Sequence, residues 1–149
     1  EQMDEEICRL LLHHEVELVI LAGYLRKLGV RTLRQYRNRI LNIHPALLPA
    51  FKGLDTHRRS LEAGVKVHGA TVHFVVPEMD SGPIIAQAAV NVRPTESEEN
   101  LAARVLKVEH QIYPLALKLL SEGSLRVENG RCLIDGVPIP DTADLIPVP

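Results

Sequence analysis

Aromatic residues are scarce in this chain of 149 residues, which has two phenylalanines, three tyrosines and no tryptophan. Proteins that bind single-stranded nucleic acid use such side chains as platforms on which bases stack. The formal net charge of -2 gives no overall basic field that would attract a polyanion. The composition therefore disfavours nucleic acid as a partner, and we expect small molecules as substrates.

Signals for a membrane or for secretion are also lacking. No apolar run reaches the ~18 residues that a membrane-spanning helix requires. The first six residues, EQMDEE, are acidic where a signal peptide is basic. We therefore expect a cytoplasmic protein without a membrane partner.

Cysteine is nearly absent as well. Cys8 and Cys132 are far apart in the chain, and neither belongs to a Cys-x-x-Cys pair. The histidines do not combine with cysteines at the spacing of a zinc site. We therefore expect two free thiols and no bound metal.

The hydrophobic pattern predicts one α/β domain over residues 1–149, since a chain that is 46% hydrophobic at this length can bury its own core. Two short apolar runs, residues 17–22 and 40–44, are typical of strands that a parallel sheet buries on both faces. The helical spacing of residues 30–37 between them predicts a crossover connection, and thus a βαβ unit. We predict a Rossmann-like, mostly parallel sheet flanked by helices.

Two further strands are predicted at residues 69–76 and 84–92. They lie on either side of Asp80, Ser81, Gly82 and Pro83, a run of turn-forming residues. The turn is therefore expected to join the two strands.

A long helix and a hairpin are predicted at the C-terminal end. Thr95 and Glu98 form a capping-box pattern, and apolar residues continue at helical spacing until Gly123, which is expected to end the helix. The Asn-Gly pair at residues 129–130 then predicts an antiparallel hairpin. Residues 137–149 form a proline-rich tail.

Two polar residues interrupt the apolar strand at residues 40–44. Asn42 and His44 are two positions apart, so their side chains leave the strand on the same face. Pro45 cannot extend the strand, which places both side chains at its C-terminal end, where open α/β sheets hold their sites. The pair fits an active site, although hydrogen-bonded polar residues with a structural role fit the same pattern.

Asp80 is the third candidate. It lies in a turn, where aspartate often acts only as a turn former through its own side chain. Beside a histidine, however, a carboxylate forms a coupled pair that moves protons near neutral pH. Because Asn42 adds an amide donor for an oxyanion, the set of Asn42, His44 and Asp80 suits acyl transfer to an amine.

These segments carry a family resemblance. Residues 42–49 (NIHPALLP) and 80–85 (DSGPII) resemble the formyltransferases that use 10-formyltetrahydrofolate. Residues 51–58 (FKGLDTHR), 67–74 (VHGATVHF) and 109–114 (EHQIYP) resemble the branch of that family that acts on 5-phosphoribosylglycinamide. The resemblance covers essentially the whole chain and implies the formyltransferase fold.

The resemblance also implies roles for individual residues. Asn42, His44 and Asp80 correspond to the catalytic residues of the family. Seven residues correspond to positions that line the folate pocket: Leu25, Arg26, Leu28, Val76, Pro77, Glu78 and Met79. Together with Ile40, they are expected to form a mostly apolar slot for the pteridine ring.

The amine substrate is expected to meet other residues. Glu109 corresponds to a residue that contacts this substrate, and His73 and His57 correspond to polar positions around the site. For the two histidines a structural role stays open.

The implied reaction is the transfer of a formyl group from the co-substrate 10-formyltetrahydrofolate to the primary amine of 5-phosphoribosylglycinamide, a step of purine biosynthesis. In the mechanism we infer, Asn42 and protonated His44 stabilise the oxyanion while Asp80 relays the proton. Two alternatives stay open. One is a formyltetrahydrofolate deformylase, in which water replaces the amine, and the other is a non-catalytic fragment that needs a partner segment.

Members of the family have a glycine-containing loop ahead of this region, and that loop binds the substrate phosphate. This chain instead opens on a predicted helix at residues 4–14, as though about sixty residues, or two βαβ units of about thirty residues each, were absent. We therefore expect the domain to lack its N-terminal phosphate-binding portion. Homo-oligomer formation stays open.

Overall fold

A computed structural model describes residues 2–135 of the chain. The predicted proline-rich tail at residues 137–149 lies outside the described residues. The elements, in chain order, are α1 (Gln2–His13), β1 (Val19–Leu21), α2 (Val30–Gln35), β2 (Ile40–His44), α3 (Thr56–Glu62), β3 (Val67–Phe74), β4 (Ile84–Asn91), α4 (Glu98–Ser121), β5 (Leu125–Glu128) and β6 (Arg131–Ile134). The predicted α/β fold, the long helix and the C-terminal hairpin are confirmed.

Strands β1 to β4 form one sheet in the order β1-β2-β3-β4, while β5 and β6 form the separate hairpin. Strands β1 and β2 are parallel, as the predicted βαβ unit requires, but β2–β3 and β3–β4 are antiparallel. The expectation of a mostly parallel sheet is therefore wrong for these four strands, and the sheet is mixed. The turn at residues 80–83 explains the β3–β4 pair, because a short hairpin connection joins only antiparallel strands.

One face of the sheet packs against α4 and forms the core. On the sheet side, Leu41, Val72 and Phe74 are at most 2% exposed. Helix α4 contributes Leu101, Val105, Ile112 and Ala116, whose spacing places them on a single helical face. This packing positions α4 across the sheet.

Helix α4 begins two residues later than the capping-box pattern suggested. Ser97 is its N-cap, and the Ser97 hydroxyl accepts a hydrogen bond from the Asn100 backbone N–H at 3.2 Å. Thr95 has a positive φ of 58° and lies outside the helix. The predicted end is confirmed, since Gly123 follows the helix with φ 71°, the left-handed conformation that glycine adopts without steric cost.

The opposite face of the sheet is polar near the end of β2. Asn42 is paired with His73 in the strand register, and His44 is paired with Thr71. Directly opposite residues of an antiparallel pair project from the same face. The four side chains therefore lie together on the face that α4 does not cover.

Candidate active site

A cavity of about 650 Å³ lies at the C-terminal ends of β1 and β2. Asn42, His44 and Asp80, the three predicted catalytic residues, all line it. Strand β2 supplies the first two side chains, and the turn between β3 and β4 supplies the third. The chain thus brings together one amide, one imidazole and one carboxylate that are distant in sequence.

The ring of His44 is held in one orientation by a backbone carbonyl. Its Nε2 lies 2.8 Å from the carbonyl oxygen of Phe51, and the ring is 5% exposed. Because a carbonyl oxygen only accepts hydrogen bonds, Nε2 carries the hydrogen. Nδ1 is then the nitrogen available for proton exchange, and it lies 3.6 Å from Asp80 Oδ2.

Asp80 contributes to both the turn and the cavity. Its φ of 51° is in the left-handed region, which suits a turn residue. Its Oδ2 accepts a hydrogen bond from the Gly53 backbone N–H at 2.8 Å and also faces His44. No hydrogen bond within residues 2–135 engages Oδ1. One oxygen therefore has a structural task, while the other can accept a proton from a ligand.

Asn42 is partly buried at the cavity wall. Within the described part of the chain, no protein group hydrogen-bonds to its side-chain amide. An amide that its own protein leaves unpaired at a cavity is available as a donor to a bound oxygen.

His73 lies across from Asn42 and also lines the cavity. Its Nδ1 is 3.0 Å from the Phe74 carbonyl oxygen, so Nδ1 carries the hydrogen. Burial lowers the pKa of His73, and the Phe74 carbonyl and the Asp80 carboxylate only partly oppose this effect. The ring is therefore neutral at pH 7, and its buried Nε2 is an acceptor that has no partner in residues 2–135.

A second histidine pair lies beside the site. His57 lines the cavity, and its Nδ1 is 3.1 Å from Nε2 of His68, which is 1% exposed. Burial, with smaller contributions from the nearby His57 and His44, lowers the pKa of His68 to about 4. Burial also lowers the pKa of His57. Since both rings are neutral at pH 7, one donates its hydrogen to the other.

The predicted folate-pocket residues lie along this cavity, with one exception. The residues that line it are Leu25, Arg26, Leu28, Val76, Pro77, Glu78 and Met79. Ile40 does not line it and is 1% exposed. Ile40 begins β2, whereas the cavity lies at the other end of that strand, where His44 ends it.

Helix α4 forms a further wall of the cavity. Glu98, Ala102, Leu106 and Glu109 line it at intervals of four, four and three residues, which is one helical face. Burial raises the pKa of Glu109, and the neighbouring His110 opposes this only in part. A carboxylate in this position is suited to receive hydrogen bonds from an amine.

Residues 2–135 contain no group of three or more His, Cys, Asp or Glu side chains that could hold a metal ion. None of the helices in that range has both the length and the apolar character needed to cross a membrane.

The sequence profile described as formyl transferase matches residues 1–117. This match covers well over half of the chain. The chain belongs to the formyl transferase family.

Relatives within the family match this chain over most of its length. It is 43% identical over 139 residues to the phosphoribosylglycinamide formyltransferase of Haemophilus influenzae, a match that covers 93% of this chain and 66% of that protein. Among solved structures, glycinamide ribonucleotide transformylase 1 from Symbiobacterium toebii has 50% identity and a TM-score of 0.85, over 88% of this chain and 62% of that one. The chain thus spans slightly less than two thirds of each relative.

A formyltetrahydrofolate deformylase from Pseudomonas syringae shares the fold with a TM-score of 0.86. Its identity to this chain is lower, at 34%, over 90% of this chain and 45% of that chain. The fold therefore serves relatives named for two different reactions, and the residues of the cavity must distinguish between them.

Two contributors to the site were missed in the sequence analysis. These are the backbone carbonyl of Phe51 and the backbone N–H of Gly53. Every residue type has a backbone carbonyl, and every type except proline has a backbone N–H, so the residue type does not predict the contact. The α4 wall was detectable in principle. Glu98, Ala102 and Leu106 are four residues apart, so the helical period alone places them on one face of α4.

Proposed function

We propose that this chain is the reaction-centre segment of a phosphoribosylglycinamide formyltransferase, which transfers a formyl group from 10-formyltetrahydrofolate to the amine of 5-phosphoribosylglycinamide in the cytoplasm. The convergence of Asn42, His44 and Asp80 on one cavity is the observation that supports this proposal. Family membership and the names of the relatives support formyl transfer as the chemistry.

In the proposed reaction the substrate amine attacks the formyl carbon, forming a new C–N bond and an oxyanion. The unpaired amide of Asn42 donates one hydrogen bond to that oxyanion. A protonated Nδ1 of His44 donates the second. Nδ1 lies 3.6 Å from Asp80 Oδ2, which is longer than a direct hydrogen bond. The Nδ1 hydrogen is therefore not committed to Asp80 and can be donated to a substrate oxygen.

Asp80 completes the transfer. The amine nitrogen must lose one proton as the bond between the formyl carbon and N10 of the folate breaks, and N10 must gain one. The free Oδ1 of Asp80 accepts the first proton and returns it, either directly or through a water molecule. The products are the formamide and tetrahydrofolate, and no covalent enzyme intermediate is required.

The co-substrate is proposed to occupy the slot lined by Leu25, Leu28 and the segment at residues 76–79. Glu109 is proposed to hold the amine, because its partly buried carboxylate lies on the α4 wall of the same cavity. His73 offers its unpaired Nε2 as a second acceptor for an N–H of the substrate.

A direct assay tests the proposal and separates it from its alternatives. The protein would be mixed with 10-formyltetrahydrofolate in the presence and absence of 5-phosphoribosylglycinamide, and release of tetrahydrofolate would be followed. Release that depends on the amine supports the transferase. Equal release without the amine would show the deformylase reaction instead, and no release in either arm would favour the non-catalytic fragment.

A further inference from the structure

A row of polar side chains crosses three neighbouring strands beside the site. In the strand register His44 is paired with Thr71, and Thr71 is paired with Gln87 of β4. These three residues therefore project from the same face of the sheet. Thr71 is fully buried, whereas Gln87 is exposed, and the proposed mechanism uses neither of them.

The hydroxyl of Thr71 is fully occupied. It donates to the Ala46 carbonyl at 2.7 Å, and it accepts from the Leu48 backbone N–H at 3.1 Å and from Gln87 Nε2 at 3.0 Å. A hydroxyl has one hydrogen to donate and two lone pairs. Thr71 thus ties the segment that follows His44 to the sheet at two points.

Gln87 adds a third attachment. Its Nε2 donates to Thr71 Oγ1 and also to the carbonyl oxygen of Leu48, at 2.9 Å. Both backbone polar groups of Leu48 are therefore held by the Thr71–Gln87 pair. An amide nitrogen is the only atom of Gln87 that can supply both donors.

The held segment leads directly to the group that orients His44. Three residues after Leu48, the carbonyl of Phe51 accepts the hydrogen of His44 Nε2 at 2.8 Å. The chain thus leaves β2 at His44, is fixed to Thr71 and Gln87, and returns to the His44 ring.

We propose that Gln87 is a positioning residue for the reaction. By fixing Leu48 it fixes the carbonyl of Phe51, and this keeps the hydrogen of His44 on Nε2 with Nδ1 directed at Asp80. Its importance for turnover rests on the proposed function, whereas its control of the His44 ring does not.

Two substitutions of Gln87 separate its donors from its volume. Gln87→Leu removes both hydrogens at similar size, and Gln87→Glu retains the shape but replaces the amide nitrogen by an oxygen that repels the Leu48 carbonyl. Gln111→Leu is the matched control, since Gln111 is an exposed residue of α4 outside the cavity lining.

Two measurements on the 149-residue protein are needed. Nitrogen-15 NMR of the histidine rings reports which nitrogen of His44 carries the hydrogen. Steady-state kinetics with both substrates reports kcat and KM. For both Gln87 variants we expect the His44 signals to change to a mixture of tautomers and kcat to fall about tenfold, with each KM changed less than about twofold, because a small misplacement of a reacting group affects the chemical step.

Several results would overturn the inference. If both Gln87 variants kept the His44 signals and the kcat of Gln111→Leu and lost only thermal stability, Gln87 would be merely structural. If Gln87→Leu failed to fold, Gln87→Met and Gln87→Glu would decide, since neither side chain supplies the two hydrogens that Gln87 donates to Leu48 and Thr71. A changed His44 tautomer in both of these variants supports the proposal, and parent-like His44 signals in both contradict it.

Failure of the proposed function would look different. In that case the parent protein would show no amine-dependent formyl transfer, while the His44 ring signals would still respond to Gln87→Leu and not to Gln111→Leu.

Discussion

The two faces of the central sheet differ although the same strands form both. On one face, Leu41, Val72 and Phe74 are buried against α4. On the other, Asn42 and His73 line a cavity. Successive residues of a strand alternate between faces, so one segment can stabilise the fold with every second residue and hold chemical groups with the others. Asn42 and His73 are therefore direct chain neighbours of core residues, and packing of the core positions the site.

If this division is correct, the largest effect on stability should come from the core face. Leu101 of α4 is 0% exposed. Replacing it by alanine loses buried apolar surface and leaves a cavity, so we expect Leu101→Ala to lower the free energy of unfolding by roughly 2–5 kcal/mol. Urea denaturation would measure this change. Leu115→Ala is the control on the same helix, because Leu115 is 48% exposed and its truncation should cost far less.

The turnover of Leu101→Ala tests whether the core face is independent of the site. The fraction of Leu101→Ala that remains folded should keep the parent kcat, since Leu101 does not line the cavity. A core variant that lost turnover in its folded fraction would break the division between the two faces.

The histidine pair beside the site, His57 and His68, predicts a loss of stability in acid. The pKa of His68 is lowered to about 4 in the folded protein, from the value of 6.5 that an exposed histidine has. The unfolded chain therefore binds a proton more readily as the pH falls below 6.5, and stability is lost until the pH reaches about 4. For this group alone the loss is about 3 kcal/mol when the pKa difference is converted at 1.36 kcal/mol per unit.

Urea denaturation at several pH values between 7 and 4 would test this sign. The His68→Gln variant should show a weaker pH dependence than the parent. If the slopes of the two proteins were equal, the acid sensitivity would belong to other groups, such as His57 and His73, whose pKa values are also lowered by burial.

The converse behaviour, with a large effect on turnover and a small one on folding, is expected for Asp80→Asn. Asparagine tolerates the left-handed conformation of residue 80, and its oxygen can still accept from the Gly53 N–H. It lacks the charge opposite His44 Nδ1 and cannot take up a proton. We expect kcat to fall about a hundredfold or more, the scale for loss of a proton-transfer or oxyanion group.

Thermal denaturation and steady-state kinetics of the same preparations would test this expectation. Asp80→Ala is the comparison, because alanine neither suits a positive φ nor accepts the Gly53 hydrogen bond. Near-normal turnover in Asp80→Asn, combined with loss of stability in Asp80→Ala, would leave Asp80 only its role in the turn.

Local patterns in the sequence predicted those features of the fold that depend on neighbouring residues. The polar pair Asn42 and His44 was predicted to share a face because strand periodicity alone decides this, and the helix end at Gly123 follows from the left-handed conformation of one residue. The direction of β3 relative to β2 was predicted wrongly. It depends on the path of the whole connection at residues 45–66, which no local pattern specifies.

The site was predictable only in part for a similar reason. Asn42, His44 and Asp80 have side chains that carry chemistry, so their types drew attention. The carbonyl of Phe51 that orients His44 is common to every residue. Ile40 is apolar, as a slot residue would be, but it begins β2 and does not line the cavity, whereas Asn42 does.

The smallest predicted effect concerns α4, which has both kinds of face itself, with Leu101 buried in the core and Glu98 at the cavity. Its start should therefore matter to both. The Ser97 hydroxyl satisfies the Asn100 N–H, and removal of an N-cap typically costs about 1 kcal/mol. We expect Ser97→Ala to lower the free energy of unfolding by this amount in urea denaturation, while Thr95→Ala, outside the helix, should not lower it through lost capping. A larger effect at Thr95 would restore the capping-box assignment and move the helix start, and with it the wall of the cavity, two residues toward the N-terminus.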